Sequence, residues 1–166
     1  MPAGRQILIL LRGDRLRLFI IAAAVILADQ LTKQIVIRSM DIGQSITVIN
    51  NFLYITYVRN PGAAFGMLPY QTAFFIVITV VVTALVIYYY RTISDNHKWL
   101  RFGLSLLLGG AMGNLIDRVS GGYVVDFINF TIWPPVFNVA DSAIVIGVGI
   151  FLIVFWRDPQ LRSSGS

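Results

Sequence analysis

Four long blocks of apolar residues divide the chain, at about 16–37, 69–90, 100–118 and 138–156. Each block holds roughly 17–25 residues, enough at about 1.5 Å per residue to cross a hydrocarbon core of about 30 Å. The pattern predicts four membrane-spanning helices, and Pro69 suits the first turn of the second. Between the first two blocks the periodicity changes. Ile46–Ile49 and Phe52–Val58 are rich in β-branched and aromatic residues, with Asn50-Asn51 between them as turn chemistry. This predicts a small hairpin or sheet over about 44–58, lying on the outer membrane surface. Between the last two blocks come a Gly121-Gly122 turn, the segment YVVDFINFTIW and the breaker Pro134-Pro135. The fold class expected is an α-helical membrane protein of four transmembrane helices with a small extracytoplasmic β-sheet, forming one integral membrane domain over residues 1–166. The closing SSGS reads as disordered or added.

Composition agrees with this pattern. Of the 166 residues, 57% are hydrophobic and 13% charged, and the mean hydropathy is +0.75. A water-soluble domain of this size could not bury so much apolar surface. The net charge of +5 does not indicate nucleic acid, because the basic residues cluster at the ends of the apolar blocks. Nine of the thirteen, Arg5, Arg12, Arg15, Arg17, Arg91, Lys98, Arg101, Arg157 and Arg162, fall in the N-terminal arm, the middle loop and the C-terminal tail. The positive-inside rule makes that side cytoplasmic, with both termini inside and residues 38–68 and 119–137 outside. Tyr88–Tyr90, Trp99 and Trp156 mark the inner interface and Trp133 the outer one. The first block continues into a full span, so no cleavable signal peptide is expected.

Candidate chemistry is narrow. There is no cysteine, so thiol nucleophiles, disulfides and zinc thiolates are excluded. The single histidine, His97, sits in a polar stretch far from the other motifs, and no metal or cofactor is expected. All eight acids are aspartates. Two of them, Asp126 in VVDFI and Asp141 in FNVADSAIV, sit in strongly apolar sequence and flank one connection, so they lie on the same, outward side. An acid in or beside hydrocarbon is a functional candidate by default. If the two approach, both cannot ionise in low dielectric, and the pair titrates as a unit. The ionised member can then take a proton from water while the protonated one polarises a peptide carbonyl.

Other polar residues gather at the same outward ends: Asn60 before span two, Asn114, Asp117 and Arg118 closing span three, and Asn138 opening span four. Asp29 lies deeper, roughly 16 Å from the cytoplasmic start of span one. Each has a plainer reading. Asp141 or Asn138 could cap span four. Asp126 could be a solvated loop residue. Asp29 and Lys33, four apart on one helix face, read first as a structural ion pair. Arg118 with Asp117 could anchor the interface or point inward to the carboxylates. Asn60 opens Asn-Pro-Gly, ordinary turn chemistry. Gly109, Gly110 and Gly113 permit close helix approach. Asn114 is an embedded amide that needs partners.

The segments DQLTK (29–33), NPGAAFG (60–66), GGAMGNLIDR (109–118), VVDFI (124–128) and FNVADSAI (137–144) together resemble the motifs of bacterial lipoprotein signal peptidase, or signal peptidase II. The likeness covers all four spans in order. It implies an intramembrane aspartic endopeptidase of the bacterial inner membrane, cutting signal peptides from prolipoproteins just before a cysteine that already carries diacylglycerol. By position, Asp126 and Asp141 match that family's catalytic pair. Asp29, Lys33, Asn60, Gly110, Asn114, Arg118 and Asn138 match its supporting or substrate-contacting positions. The resemblance also implies a surface cradle for the outer β segment, contact with membrane lipids, and inhibition by the cyclic peptide globomycin. Two rival readings stay open. A small proton-coupled transporter would use Asp29, Asp126 and Asp141 as a relay, and a non-enzymatic scaffold would use the glycine face of span three.

Overall fold

The computed structural model describes residues 3–62, 71–94 and 96–158, with side chains from residue 16. In chain order it contains α1 (Ala3–Ser39), β1 (Ser45–Ile49), β2 (Leu53–Asn60), α2 (Thr72–Thr92), α3 (Lys98–Gly121), β3 (Val124–Phe130) and α4 (Val139–Arg157). Among the described residues, four helical stretches are long and apolar enough to cross a membrane: Leu16–Ser39, Thr72–Thr92, Lys98–Gly121 and Val139–Arg157. They agree with the expected spans to within about three residues at each end, the usual uncertainty of helix boundaries. Pro69, the second half of NPGAAFG and the SSGS tail lie outside the described residues. The described part of α2 begins at Thr72, with Gln71 at its N-cap. The N-terminal arm is helical from Ala3 and continuous with the first span.

The strands form one antiparallel sheet in the order β1-β2-β3. The hairpin turns at Asn51, which takes a positive φ of 56°. Asparagine tolerates that conformation better than most residues. The sheet is larger than the sequence pattern suggested, because β3 joins it from between α3 and α4. Its pairing places Val58 opposite Asp126 and Asn60 opposite Val124. The register shifts between Ile55 and Val58, a kink of the kind that re-aims side chains beside sites. Gly122 ends α3 in the left-handed region at φ 76°, where glycine has no Cβ to clash. That reversal sends the chain straight into β3.

α3 is the central helix and packs against the other three. Lipid tails are as apolar as leucine, so helices associate in a membrane through close packing and polar pairs. Glycine supplies the close packing. A Cβ on Gly103 would lie 2.9 Å from the carbonyl oxygen of Gly147, and one on Gly147 would lie 2.6 Å from that of Gly103. A Cβ on Gly110 would strike the carbonyl oxygen of Ala140. The core has two apolar parts. Leu18, Ala22, Val86, Tyr90, Leu104 and Leu108 fill one end of the bundle, while Val36, Met40, Tyr57, Val125 and Phe127 join α1 to the sheet at the other. The exposed flanks of α2 and α4 carry Val77, Val81, Leu85, Val145, Ile146 and Ile153, as expected of helix faces turned to lipid.

Candidate active site

The site is built on the first turn of α4. Asn138 is the N-cap, and its backbone at φ −131°, ψ −174° is extended. Its side-chain oxygen accepts from the Asp141 N–H at 2.9 Å, and Asp141 Oδ2 accepts from the Asn138 N–H at 3.2 Å. This reciprocal capping box satisfies orphan N–H groups of the helix start. A further one, on Ala140, donates to Asp29 Oδ1 at 2.9 Å. The capping reading of Asp141 is therefore correct, yet it uses only one of the two carboxylate oxygens. The other, Oδ1, accepts from Asn114 Nδ2 at 2.7 Å.

β3 delivers the second carboxylate. Asp126 is 2% exposed, which rules out a solvated loop residue. Asn138 Nδ2 donates to Asp126 Oδ1 at 2.7 Å, and Asn60 Nδ2 donates to Asp126 Oδ2 at 2.9 Å. Asn138 thus joins both aspartates, one through its side-chain amide and the other through its backbone. Burial, followed by the charge of Asp141, pushes the Asp126 carboxyl up from 3.8 to about 7, against the hydrogen bonds from Asn60 and Asn138. Asn60 keeps its turn role as well, since its Oδ1 accepts from the Gly62 N–H at 3.0 Å.

Behind the two aspartates lies a buried charged cluster. Lys33 Nζ meets Asp29 Oδ2 and Asp117 Oδ2, each at 2.8 Å, and donates to Asn114 Oδ1 at 3.1 Å. The helix-face pair read from the sequence is present, but it is half of a larger arrangement. Asp117 also accepts from the Val125 N–H at 3.1 Å and from Gln30 Nε2 at 2.8 Å. Sequence reasoning left Asp117 and Gln30 out of the supporting set. The signal available was Lys33 itself, because a buried ammonium has three N–H donors and Asp29 can serve only one or two. Gly113 makes room, for a Cβ there would lie 2.7 Å from Asp29 Oδ2.

Arg118 turns inward instead of anchoring the interface. Its guanidinium lies 5.0 Å from the centre of the Phe75 ring. It donates to the Gly62 carbonyl at 3.3 Å and the Asn114 carbonyl at 3.4 Å. It therefore pins the end of the Asn60–Gly62 turn beside Asp126. Asp126, Asp141, Asn60, Asn114 and Arg118 line one open cavity of about 680 Å³ whose other walls include Phe52, Phe130, Ile132, Trp133 and Val145. The cavity is polar at its base and apolar along its sides. It suits a substrate with a polar bond to be broken and an apolar body.

Residues 21–157 match the family model described as signal peptidase (SPase) II. The chain is 47% identical over 144 residues to the lipoprotein signal peptidase of Halothermothrix orenii, covering 86% of this chain and 97% of that protein. It is 52% identical over 139 residues to the lipoprotein signal peptidase of Caldanaerobacter subterraneus subsp. tengcongensis, covering 82% and 94%. Among the solved structures that are similar, two are described as a bacterial membrane enzyme determined by the in meso method. One, at 2.3 Å, has a TM-score of 0.82 and 40% identity, covering 86% of this chain and 88% of that one. The other, at 1.9 Å, has a TM-score of 0.79 and 41% identity, covering 86% and 94%.

Proposed function

Because the chain belongs to the signal peptidase II family, as a multi-pass membrane peptidase that removes signal peptides from prolipoproteins, we propose that Asp126 and Asp141 are its catalytic pair. The observation that carries this reading is Asn138, which holds both carboxylates at the base of one cavity. In the resting state the pair shares one proton. Two buried carboxylates joined through Asn138 cannot both ionise in low dielectric, and the charge of Asp141 is among the causes that raise the Asp126 carboxyl.

The peptide enters with its scissile carbonyl against the protonated member of the pair, which donates a hydrogen bond to the carbonyl oxygen. The ionised member takes a proton from water, and the water oxygen attacks the carbonyl carbon. Collapse of the tetrahedral intermediate breaks the C–N bond as the pair passes the proton taken from water to the leaving nitrogen. A new carboxyl and a free amine result, and the pair again holds one proton. Asn60, Asn114 and Asn138 orient the two carboxylates. Arg118 holds the turn that carries Asn60. Asp29, Lys33 and Gly110 support the start of α4 and its approach to α3.

The cleaved bond lies just before a diacylglyceryl-modified cysteine. The apolar cavity walls beside the aspartates support this, since a lipidated substrate stays at hydrocarbon depth. Globomycin occupies the same cavity, and membrane lipids cover the exposed helix flanks. The chain forms one membrane domain in the bacterial inner membrane, with both termini cytoplasmic and the cavity and sheet on the outer side, in keeping with the distribution of basic residues. A proton-relay transporter is disfavoured. The core at the Leu18, Tyr90 and Leu104 end is apolar, and the family is a peptidase.

The test uses purified enzyme with one prolipoprotein, supplied with and without diacylglycerol on its cysteine. Mass spectrometry should show only the lipidated form cut, with the modified cysteine as the new N-terminus, and globomycin should stop the reaction. Equal cleavage of the unmodified precursor, or a cut elsewhere, would refute the assignment.

A further inference from the structure

The amides of the site form a chain with a direction. A lysine ammonium has three donors and no acceptor, and those of Lys33 are taken by Asp29, Asp117 and Asn114. Asn114 must therefore turn its Oδ1 toward Lys33, which leaves its Nδ2 for Asp141 Oδ1 at 2.7 Å. The same Oδ1 accepts from Asn138 Nδ2 at 3.1 Å, and that NH2 group also reaches Asp126 Oδ1 at 2.7 Å and the Val125 carbonyl at 3.2 Å. Asp141 thus receives a hydrogen bond whose direction is set at a buried ammonium, while Asn138 is turned toward Asp126 by its own Oδ1, which accepts from the Asp141 N–H. A reversed Asn114 would set its carbonyl oxygen against Asp141, an arrangement tolerable only with an additional proton on the carboxylate.

Accepting that Asp126 and Asp141 are the catalytic pair, we propose that Lys33 is a positioning residue that sets the direction of Asn114 and so holds the pair at one shared proton. Its charge acts in the same sense, because a buried cation near two acids opposes a second proton. The other groups around the pair are Asp29 from α1, Asp117 and Arg118 from α3, Asn60 from β2 and Asn138 from α4. Asp29 and Asp117 carry the opposite charge to Lys33, so removing either partner should move the titration of the pair in the opposite direction. A merely structural ion cluster would lower activity equally at every pH.

The experiment is the pH profile of kcat/KM for purified wild type, Lys33→Met and Asp117→Asn on a lipidated precursor. Lys33→Met should move both limbs to higher pH by about one unit, with about a tenfold loss on the acid side. Asp117→Asn should move them to lower pH. Lys33→Met leaves two buried carboxylates without their cation; if it does not fold, the double variant Lys33→Met/Asp117→Asn, which removes one charge of each sign, carries the test and should still move both limbs to higher pH. Limbs that stay in place while the rate falls, or that move in the direction opposite to the one given, would overturn the role of Lys33. Asp126→Asn, run in parallel, separates the two readings. Cleavage retained there would refute the catalytic pair itself, whereas an inactive Asp126→Asn with unmoved limbs in the others would refute only the role of Lys33.

Discussion

At the scale of single residues, the buried carboxyl of Asp126 has a cost in stability. Its carboxyl is pushed from 3.8 to about 7, chiefly by burial. A folded-state value above the unfolded one favours folding fully below about 3.8, and that contribution is lost as pH rises through about 7. Asp126 should therefore make the protein less stable at pH 8 than at pH 5. Asp126→Asn removes the ionisation, so its melting temperature should exceed that of wild type at pH 8 and approach it at pH 5. Thermal unfolding in detergent at the two pH values checks this, and an equal change at both would contradict the origin of the shift. Asp126 and Asp141 were legible in the sequence because carboxylates in apolar runs are costly. Asp117 and Gln30 were not, because their roles depend on which face of α3 meets α1. The capping box was half legible: the residue types suggested a cap, but only coordinates show that Asn138 and Asp141 cap one another.

Among the elements, the helices could be read to within about three residues from hydropathy alone. The sheet could not. β1 and β2 are neighbours joined by a turn, so local pattern suffices. β3 pairs with β2 across two intervening helices, and such long-range pairing leaves no local trace. The consequence is functional, since that pairing brings Asn60 to Asp126. The glycines of α3 were assigned to close packing, and the structure shows what they approach. Gly113 is the informative one, because a Cβ there would sit 2.7 Å from Asp29 Oδ2. Gly113→Ala should displace Asp29 from Lys33 and from the Ala140 N–H. A destabilisation of about 1–3 kcal/mol is expected, the usual cost of overpacking, accompanied by loss of activity. Gly149, where an added Cβ would meet nothing within 4 Å, gives the control: Gly149→Ala should keep both. Unfolding and cleavage assays on the two variants would separate local crowding from a general intolerance of α3 and α4.

For the whole molecule, polarity is divided between two ends. The aspartates, their amides and the sheet occupy one end, and His97 meets Asp158 at 3.2 Å at the other, tying the start of α3 to the end of α4. Basic residues gather at that second end, and the proposed orientation, which follows the positive-inside rule, has it in the cytoplasm. The absence of native cysteine makes this simple to test with single probes. In intact spheroplasts a membrane-impermeant maleimide should label Thr131→Cys, and it should label Ser94→Cys only after permeabilisation. The reverse pattern would invert the orientation. In the proposed orientation the site opens outward, where water would reach aspartates otherwise buried among apolar residues and a substrate anchored in the outer leaflet would meet them. The most direct test of that arrangement is the cleavage rate of purified, folded Asp126→Asn and Asp141→Asn on a diacylglyceryl-modified prolipoprotein. Each substitution alone should lower kcat by at least about a hundredfold, the scale of general acid–base catalysis. A near wild-type rate in either variant would contradict a catalytic role for the pair.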